Sequence, residues 1–171
     1  MRKAFTLLEM LLVLVIVTIL CAITIHSFGD DDRTLMLQEL EKIEVVVHYL
    51  QQRAMATQQA QSLVITTTAQ TYRYGSVRQV LPPRICFGYV ATAHGPPGNP
   101  TAPLTHVATF PAVNPTTFLI KIFPNGKMSS GTLYMRNYGG TRLGALTCTV
   151  SQVSYLRKYM YDSGQWVLLA S

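Results

Sequence analysis

An apolar run near the N-terminus, at residues 5–25, constrains this chain more than any other feature. Its 21 residues contain a single ionisable carboxylate, Glu9. A helix of that length rises about 31 Å, which matches the roughly 30 Å hydrocarbon core of a bilayer. The run is longer than the apolar core of a cleaved secretory signal peptide. It therefore predicts a helix that spans a membrane.

The charges on either side of this run predict its orientation. Arg2 and Lys3 precede it, and three consecutive acids follow it at residues 30–32. Cationic flanks stay on the cytoplasmic side. We therefore expect a single-pass protein of a bacterial inner membrane, with a cytoplasmic N-terminus and a periplasmic head. Glu9 is costly inside such a helix, so it either serves another subunit or reaches the headgroups or Lys3.

The first residues also carry a family resemblance. The sequence KAFTLLE at residues 3–9, continued by MLLVLVIV, resembles the N-terminus of type IV pilins and type II secretion pseudopilins. The resemblance implies that a prepilin peptidase cuts between Ala4 and Phe5 and that Phe5 is then N-methylated. It also implies that Glu9 attracts the Phe5 amine of a neighbouring subunit during assembly. The family usually has Gly at the position of Ala4.

A second resemblance lies in the middle of the chain. The sequence FLIKIFPNGKMSSGTL at residues 118–133 is similar to a strand, turn and hairpin of the H-type pseudopilins and of minor pilins of the GspH/FimT kind. Together the two matches imply an α+β, pilin-like fold. In that fold a long N-terminal helix, whose front half spans the membrane, packs on a C-terminal antiparallel β-sheet head.

The residue pattern predicts four segments. They are a leader at 1–4, a transmembrane and filament-core helix at 5–29, an amphipathic helix at 30–61 and a β-rich head at 62–171. We expect one long helix up to about Gln59, with a bend permitted at Gly29. Apolar residues spaced by three and four predict its buried face: Met36, Leu40, Ile43, Val47, Leu50 and Ala54.

Beyond the helix, β-branched and aromatic residues predict an antiparallel head. The predicted strands are 62–68, 71–74, 84–90, 117–123, 131–135, 145–151, 155–161 and 166–169. Asn125-Gly126 and Ser163-Gly164 are predicted turn centres. Six of the nine prolines fall within residues 93–115, which we therefore expect to form an exposed loop and a candidate contact surface.

The head is poor in the groups that catalysis and metal binding need. From residue 63 onward the only acid is Asp162, and His94 and His106 lie in or near the proline-rich loop. A carboxylate pair is impossible there, and a calcium site needs several anionic oxygens. We therefore predict no enzymatic activity, no catalytic residues, no metal and no cofactor.

Two cysteines, Cys86 and Cys148, fall in predicted strands of the exported head. An oxidising compartment permits a disulfide between them. The alternative is a pair of buried free thiols, and the sequence does not show whether the two Cα atoms lie within bridging distance. Cys21, in the apolar run, is expected to behave as a small hydrophobe.

Charge is distributed unevenly along the chain. Residues 1–62 hold five Lys or Arg and seven acids, whereas residues 63–171 hold nine Lys or Arg and one acid. Basic side chains near tyrosines can bind nucleic acid, and Arg157 and Lys158 are the candidate contacts. The alternative is that scattered cations protect strand edges or complement acidic neighbouring subunits.

The sequence as a whole predicts a minor pseudopilin or minor pilin at the tip of a secretion pseudopilus or type IV pilus. Its expected partners are other pilin or pseudopilin subunits, the prepilin peptidase and the inner membrane, with a secreted substrate or DNA as cargo. One alternative is a DNA-binding minor pilin of a competence pilus. The other is an unprocessed protein that crosses the inner membrane once.

Overall fold

A computed structural model describes residues 7–27, 31–95, 101–149 and 155–169 of the chain. The chain divides into two compact units, the first ending at Asp31 and the second beginning at Asp32. Two helices precede all of the strands: α1 at Leu7–Ser27 and α2 at Asp31–Thr57. The bend predicted at Gly29 lies outside the described residues.

Helix α1 has apolar side chains on every side rather than on one stripe. The side chains at residues 7–19 are all exposed, including large ones such as Leu7 and Leu14. In the part of the chain that the structure describes, no helix combines the length and apolarity that a membrane crossing requires.

Helix α2 carries the main core of the second unit on one face. The predicted stripe is confirmed, because all six of its residues, from Met36 to Ala54, are at most 1% exposed. On the opposite side of the helix, Val45 and Tyr49 remain exposed. The spacing of three and four residues thus identified the packed face correctly.

Within the described residues, ten strands follow the helices. Their bounds are β1 Gln61–Thr66, β2 Thr71–Tyr74, β3 Val77–Val80, β4 Ile85–Phe87, β5 Ala112–Asn114, β6 Thr117–Ile122, β7 Gly131–Asn137, β8 Leu143–Cys148, β9 Leu156–Asp162 and β10 Gln165–Leu168. They form two antiparallel sheets. Sheet A has the order β3-β2-β1-β6-β5, and sheet B has the order β10-β9-β8-β7-β4.

All eight predicted strands are present, and two strands were not predicted. Each residue of β3 and β5 is exposed, so neither strand shows the alternation of buried and exposed residues by which a sequence reveals a strand. β3 exists because it forms a hairpin with β2, and β5 because it pairs with β6. Both are edge strands of sheet A.

The two sheets differ in how their faces are covered. In sheet A, Leu63, Ile65 and Ile120 belong to the main core with α2, while the alternate residues face outward. In sheet B, β9 sends Leu156 and Met160 to the main core and Tyr159 and Tyr161 to a second, smaller cluster. Sheet B is therefore covered on both faces, and β8 is buried along most of its length.

The second cluster corrects the prediction for residues 93–115. Its described parts do not form a freely exposed loop, because Ala93 and Leu104 of this cluster, like Ala108 and Phe110 of the main core, are each at most 6% exposed. Trp166 of β10 donates a hydrogen bond to the His94 carbonyl over 3.0 Å. Apolar residues between the prolines therefore pack the segment onto sheet B.

Both predicted turns are confirmed. Gly126 adopts a φ of 78° between β6 and β7, and its N–H donates to the Phe123 carbonyl over 2.9 Å. Ser163 and Gly164, with φ of 50° and 86°, connect the paired residues Asp162 and Gln165. The molecule is thus α+β, with a helix packed on two antiparallel sheets, in agreement with the expected pilin-like class.

Candidate functional site

One of the predicted functional residues of the N-terminal segment, Glu9, lies within the described residues. Glu9 lies in the first turn of α1 and is exposed, at the helix end where the macrodipole favours an acid. Ala4 and Phe5, the predicted cleavage and methylation residues, lie outside the described residues.

The surface around Glu9 is a continuous apolar one. Leu7, Leu8, Met10 and Leu11 are each more than half exposed. Water-exposed apolar surface of this extent marks an interaction surface, because its burial against lipid or protein releases free energy in proportion to the area covered. The start of α1 thus combines one carboxylate with exposed apolar side chains that can pack against lipid or protein.

Of the two alternatives for Cys86 and Cys148, a disulfide or two free thiols, the structure shows the free thiols. Both side chains are free thiols and buried. Their strands lie on opposite sides of β7, where Cys86 pairs with Arg136 and Cys148 pairs with Gly131. Those two partners are separated by about 17 Å along β7, whereas a disulfide needs Cα atoms within about 7 Å.

Lys158 is not an accessible nucleic-acid contact, which corrects the second half of that prediction. Its side chain is 8% exposed, and its Nζ lies 2.7 Å from the Glu44 Oε2 of α2. The alternation of β9 places Lys158 on the core face between Leu156 and Met160. A cation already paired and desolvated in this way is not available to a phosphate.

Arg157 points to the other face of β9 and stays accessible. Its guanidinium lies 4.8 Å from the ring centroid of Tyr155, and it donates a hydrogen bond to the Tyr155 hydroxyl over 2.5 Å. A cation stacked on a tyrosine can bind an anion or stack on a base.

Several other basic residues of the head form ion pairs with acids of the chain. Arg84 lies 2.8 Å from Asp32 at the start of α2, and Arg142 lies 3.8 Å from Asp162. Asp32 also accepts a hydrogen bond from the Asn137 amide over 2.9 Å. These contacts use basic charge to attach α2 to the sheets and to close a turn, which reduces the charge available to a partner.

Two tyrosines of the basic head, Tyr72 and Tyr134, are buried. Burial raises the pKa of Tyr72 to about 12, and the nearby charge of Glu39 adds to the rise. Burial likewise raises the pKa of Tyr134 to about 12. Neither ring can be reached by a nucleic acid, so Tyr72 and Tyr134 are core residues.

The described residues hold no group of three or more His, Cys, Asp or Glu side chains that could bind a metal ion. His94 takes part in packing the proline-rich segment through its carbonyl, which accepts from Trp166. Asp162 sits beside Arg142 at a turn. The prediction that the head lacks catalysis rests on these sequence observations and stays a prediction.

The sequence did not predict a groove between α2 and the β2–β3 hairpin. Its volume is about 600 Å³, and its lining residues are Gln38, Glu41, Lys42, Val45, Val46, Tyr72, Tyr74 and Gln79. The ring of Tyr49 meets that of Tyr74 edge to face, at 6.4 Å between centroids. The only sequence signal is that Val45 and Tyr49 are large apolar residues off the buried stripe.

Comparison with known proteins identifies the N-terminal segment. No curated protein and no solved structure matches the chain. Residues 1–25 match the prokaryotic N-terminal methylation motif. The match covers the leader, Glu9 and most of α1, and no part of the head. Residues 1–25 therefore carry a prepilin signal like that of type IV pilins, the kind of segment that marks a chain for cleavage by a prepilin peptidase and for N-terminal methylation.

Proposed function

We propose that this chain is a minor pilin or pseudopilin, a non-catalytic structural subunit without a cofactor. It enters the tip of a type II secretion pseudopilus or a type IV pilus. The H-type and GspH/FimT-like resemblance of residues 118–133 supports the minor-subunit role. The observation that carries the proposal is the methylation motif at residues 1–25, which includes most of the apolar helix α1.

The proposed pathway begins in the bacterial inner membrane. Before assembly, residues 5–25 lie in the bilayer, with the N-terminus cytoplasmic and the head periplasmic. Cleavage between Ala4 and Phe5 removes Arg2 and Lys3, the fixed cations that hold the N-terminal end at the cytoplasmic surface. The shortened apolar rod can then leave the lipid and pack against the rods of other filament subunits.

Glu9 and the new N-terminus of Phe5 supply the proposed register between subunits. An α-amine has a pKa near 7.7 to 8.0, so it is largely charged at neutral pH, and methylation preserves the charge. Opposite charges 4 Å apart attract by about 4 kcal/mol at an effective dielectric constant of 20. In an apolar filament core, this pair selects one axial position among many similar apolar contacts.

The processing step is tested by the mass of the mature chain. Expression with a prepilin peptidase should yield a protein that lacks residues 1–4 and carries one added methyl group on Phe5. The matched variants are Ala4→Gly, expected to be processed at least as fully, and Ala4→Glu, expected to stay uncut. A wild-type chain that keeps its first four residues beside an active peptidase would leave only the unprocessed single-span alternative.

The assembly step is tested by the charge on Glu9. Glu9→Gln keeps the size and removes the charge, so it should leave membrane insertion intact and lower recovery in sheared filaments. Glu9→Asp keeps the charge and should restore part of that recovery. Equal incorporation of all three proteins would contradict the proposed role of the carboxylate.

The DNA-uptake alternative retains one specific observation, the partly exposed Arg157 beside Tyr155. It loses the second of its two contacts, because Lys158 is paired with Glu44. Gel shifts of the full chain in detergent at several salt concentrations test it. Salt-sensitive binding that is lost in Arg157→Gln would favour a DNA receptor, and absence of binding at low salt would exclude it.

A further inference from the structure

The outer face of sheet A, turned away from α2, holds a small basic pocket. Its volume is about 350 Å³. We call it the arginine–threonine pocket, and its lining residues are Val64, Thr66, Ala69, Thr71, Arg73, Arg78 and Thr117. No feature of the proposed filament function requires it.

The two arginines of the pocket face each other directly. Arg73 of β2 and Arg78 of β3 are partners in the antiparallel register, and both are exposed. Like charges at directly opposed positions of a ladder repel each other and destabilise the pair. β3 is an edge strand, and no other strand of the described residues pairs with its outer side, so the hairpin bears this repulsion alone.

The ion pairs of the described residues do not relieve that repulsion, because none of them involves Arg73 or Arg78. Asp162 is the only acid beyond residue 62, and it lies beside Arg142 of sheet B. Glu39 and Glu41 belong to α2, which packs on the opposite face of sheet A.

Hydroxyl groups complete the lining. Thr66 of β1 is in register with Thr71 on one side and Thr117 on the other, so three threonines cross the sheet in one row. The row lies next to the Val64–Arg73–Arg78 row along the strands. The pocket thus combines two guanidinium groups with three hydroxyls that can donate hydrogen bonds.

We propose that the arginine–threonine pocket binds a single phosphate group, free or at the end of an ester. Guanidinium groups match the geometry of phosphate oxygens through paired hydrogen bonds. A phosphate monoester carries a charge of about −1.5 to −2 at neutral pH, which balances two arginines, whereas a carboxylate supplies only one negative charge. The bound anion converts the Arg73–Arg78 repulsion into two attractions.

The test is a titration of the full chain in detergent with inorganic phosphate, at constant ionic strength in chloride. Calorimetry gives the affinity, and the melting temperature is read from the fluorescence of Trp166, the single tryptophan. Phosphate should raise the melting temperature as ligand linkage requires. A parallel titration with glycerol 3-phosphate distinguishes a free phosphate from a phosphate ester. If glycerol 3-phosphate binds more tightly than inorganic phosphate does, the ligand is an ester.

The variants are Arg73→Gln and Arg78→Gln, with Arg53→Gln, at an exposed position of α2, as the matched control. Each pocket variant should weaken phosphate binding by about tenfold or more, and the control should not. Without phosphate, Arg78→Gln should melt no lower than the wild type, because it removes a repulsion. Absence of saturable binding, an equal loss in Arg53→Gln, or glutarate binding as tight as phosphate would each overturn the proposal.

Discussion

Lys158 of β9 and Glu44 of α2 form an ion pair of 2.7 Å whose side chains are 8% and 14% exposed. The same carboxylate lies 3.9 Å from the Nε2 of His48, one turn further along the helix. This pair places two opposite charges in the interface between α2 and sheet B, where apolar contacts otherwise dominate. Its position makes the free energy of unfolding sensitive to the loss of either partner.

Lys158→Met should destabilise the chain by about 3 to 5 kcal/mol, because it leaves the Glu44 carboxylate buried without its cation. The double variant Lys158→Met with Glu44→Leu should recover most of that loss, since apolar replacements of both partners pack without a buried charge. Urea unfolding in detergent, followed by Trp166 fluorescence, measures both. Equal destabilisation by the single and double variants would contradict a coupled pair.

The buried stripe of α2 gives a second prediction. Leu40 is fully buried, so Leu40→Ala should lower the free energy of unfolding by about 2 to 5 kcal/mol through lost contacts and a residual cavity. Val45 lies on the same helix but is 66% exposed, and Val45→Ala should change it by less than about 0.5 kcal/mol. The same urea titration compares them. Similar effects at both positions would mean that α2 does not pack through this face.

The close packing around Gly131, at the start of β7, gives a third prediction of stability. A Cβ added there would lie 2.6 Å from the Phe110 Cδ1 and 2.8 Å from the Phe110 backbone nitrogen. Gly131→Ala should therefore cost about 1 to 3 kcal/mol, because a rigid ring and a backbone must both move. Gly139→Ala is the control, since its nearest contact is an ordinary 3.7 Å. Thermal unfolding of the two variants provides the comparison.

The buried tyrosines predict a loss of stability in alkali. Burial raises the pKa of Tyr72 and of Tyr134 to about 12, above the usual value of 10.0. Above pH 10 the unfolded chain loses these protons while the folded chain keeps them, so unfolding becomes more favourable as pH rises. Each tyrosine should remove about 1.4 kcal/mol per pH unit between pH 10 and 12.

Tyr134→Phe tests this window. The variant should show a shallower decline of stability between pH 10 and 12, and Tyr138→Phe, at an exposed position, should match the wild type. Tyrosinate absorbance provides an independent measure, because Tyr134→Phe should remove one component of the ionisation that the folded wild type shows well above pH 10. An identical pH dependence in all three proteins would show that Tyr134 ionises freely in the folded state.

Local patterns in the sequence predicted the elements whose residues repeat with a structural period. The stripe from Met36 to Ala54 identified the packed face of α2, because a helix turns once every 3.6 residues and buries one side. Gly126 and Gly164 identified turns, because their positive φ values favour glycine. The strands with a buried face were found, whereas the exposed edge strands β3 and β5 were not.

Properties that depend on distant parts of the chain were not predictable. The sequence left Cys86 and Cys148 as either a disulfide or two thiols, and only the strand order shows that β7 separates them. From the sequence, Lys158 was expected to be a surface cation beside Arg157, but the pleat of β9 turns its side chain inward toward Glu44. The prolines of residues 93–115 predicted an exposed loop, but apolar residues of this segment pack against sheet B.

The sequence alone determined the prepilin signal at residues 1–25, because such a signal is a short linear segment defined by the order of its residue types. It also determined the α+β class, through periods that each element carries within itself. Only the tertiary structure decided which charges of the head are free. Pairing depends on which strands and helices become neighbours, so Lys158 is buried against Glu44 while Arg73 and Arg78 face each other in the pocket of sheet A.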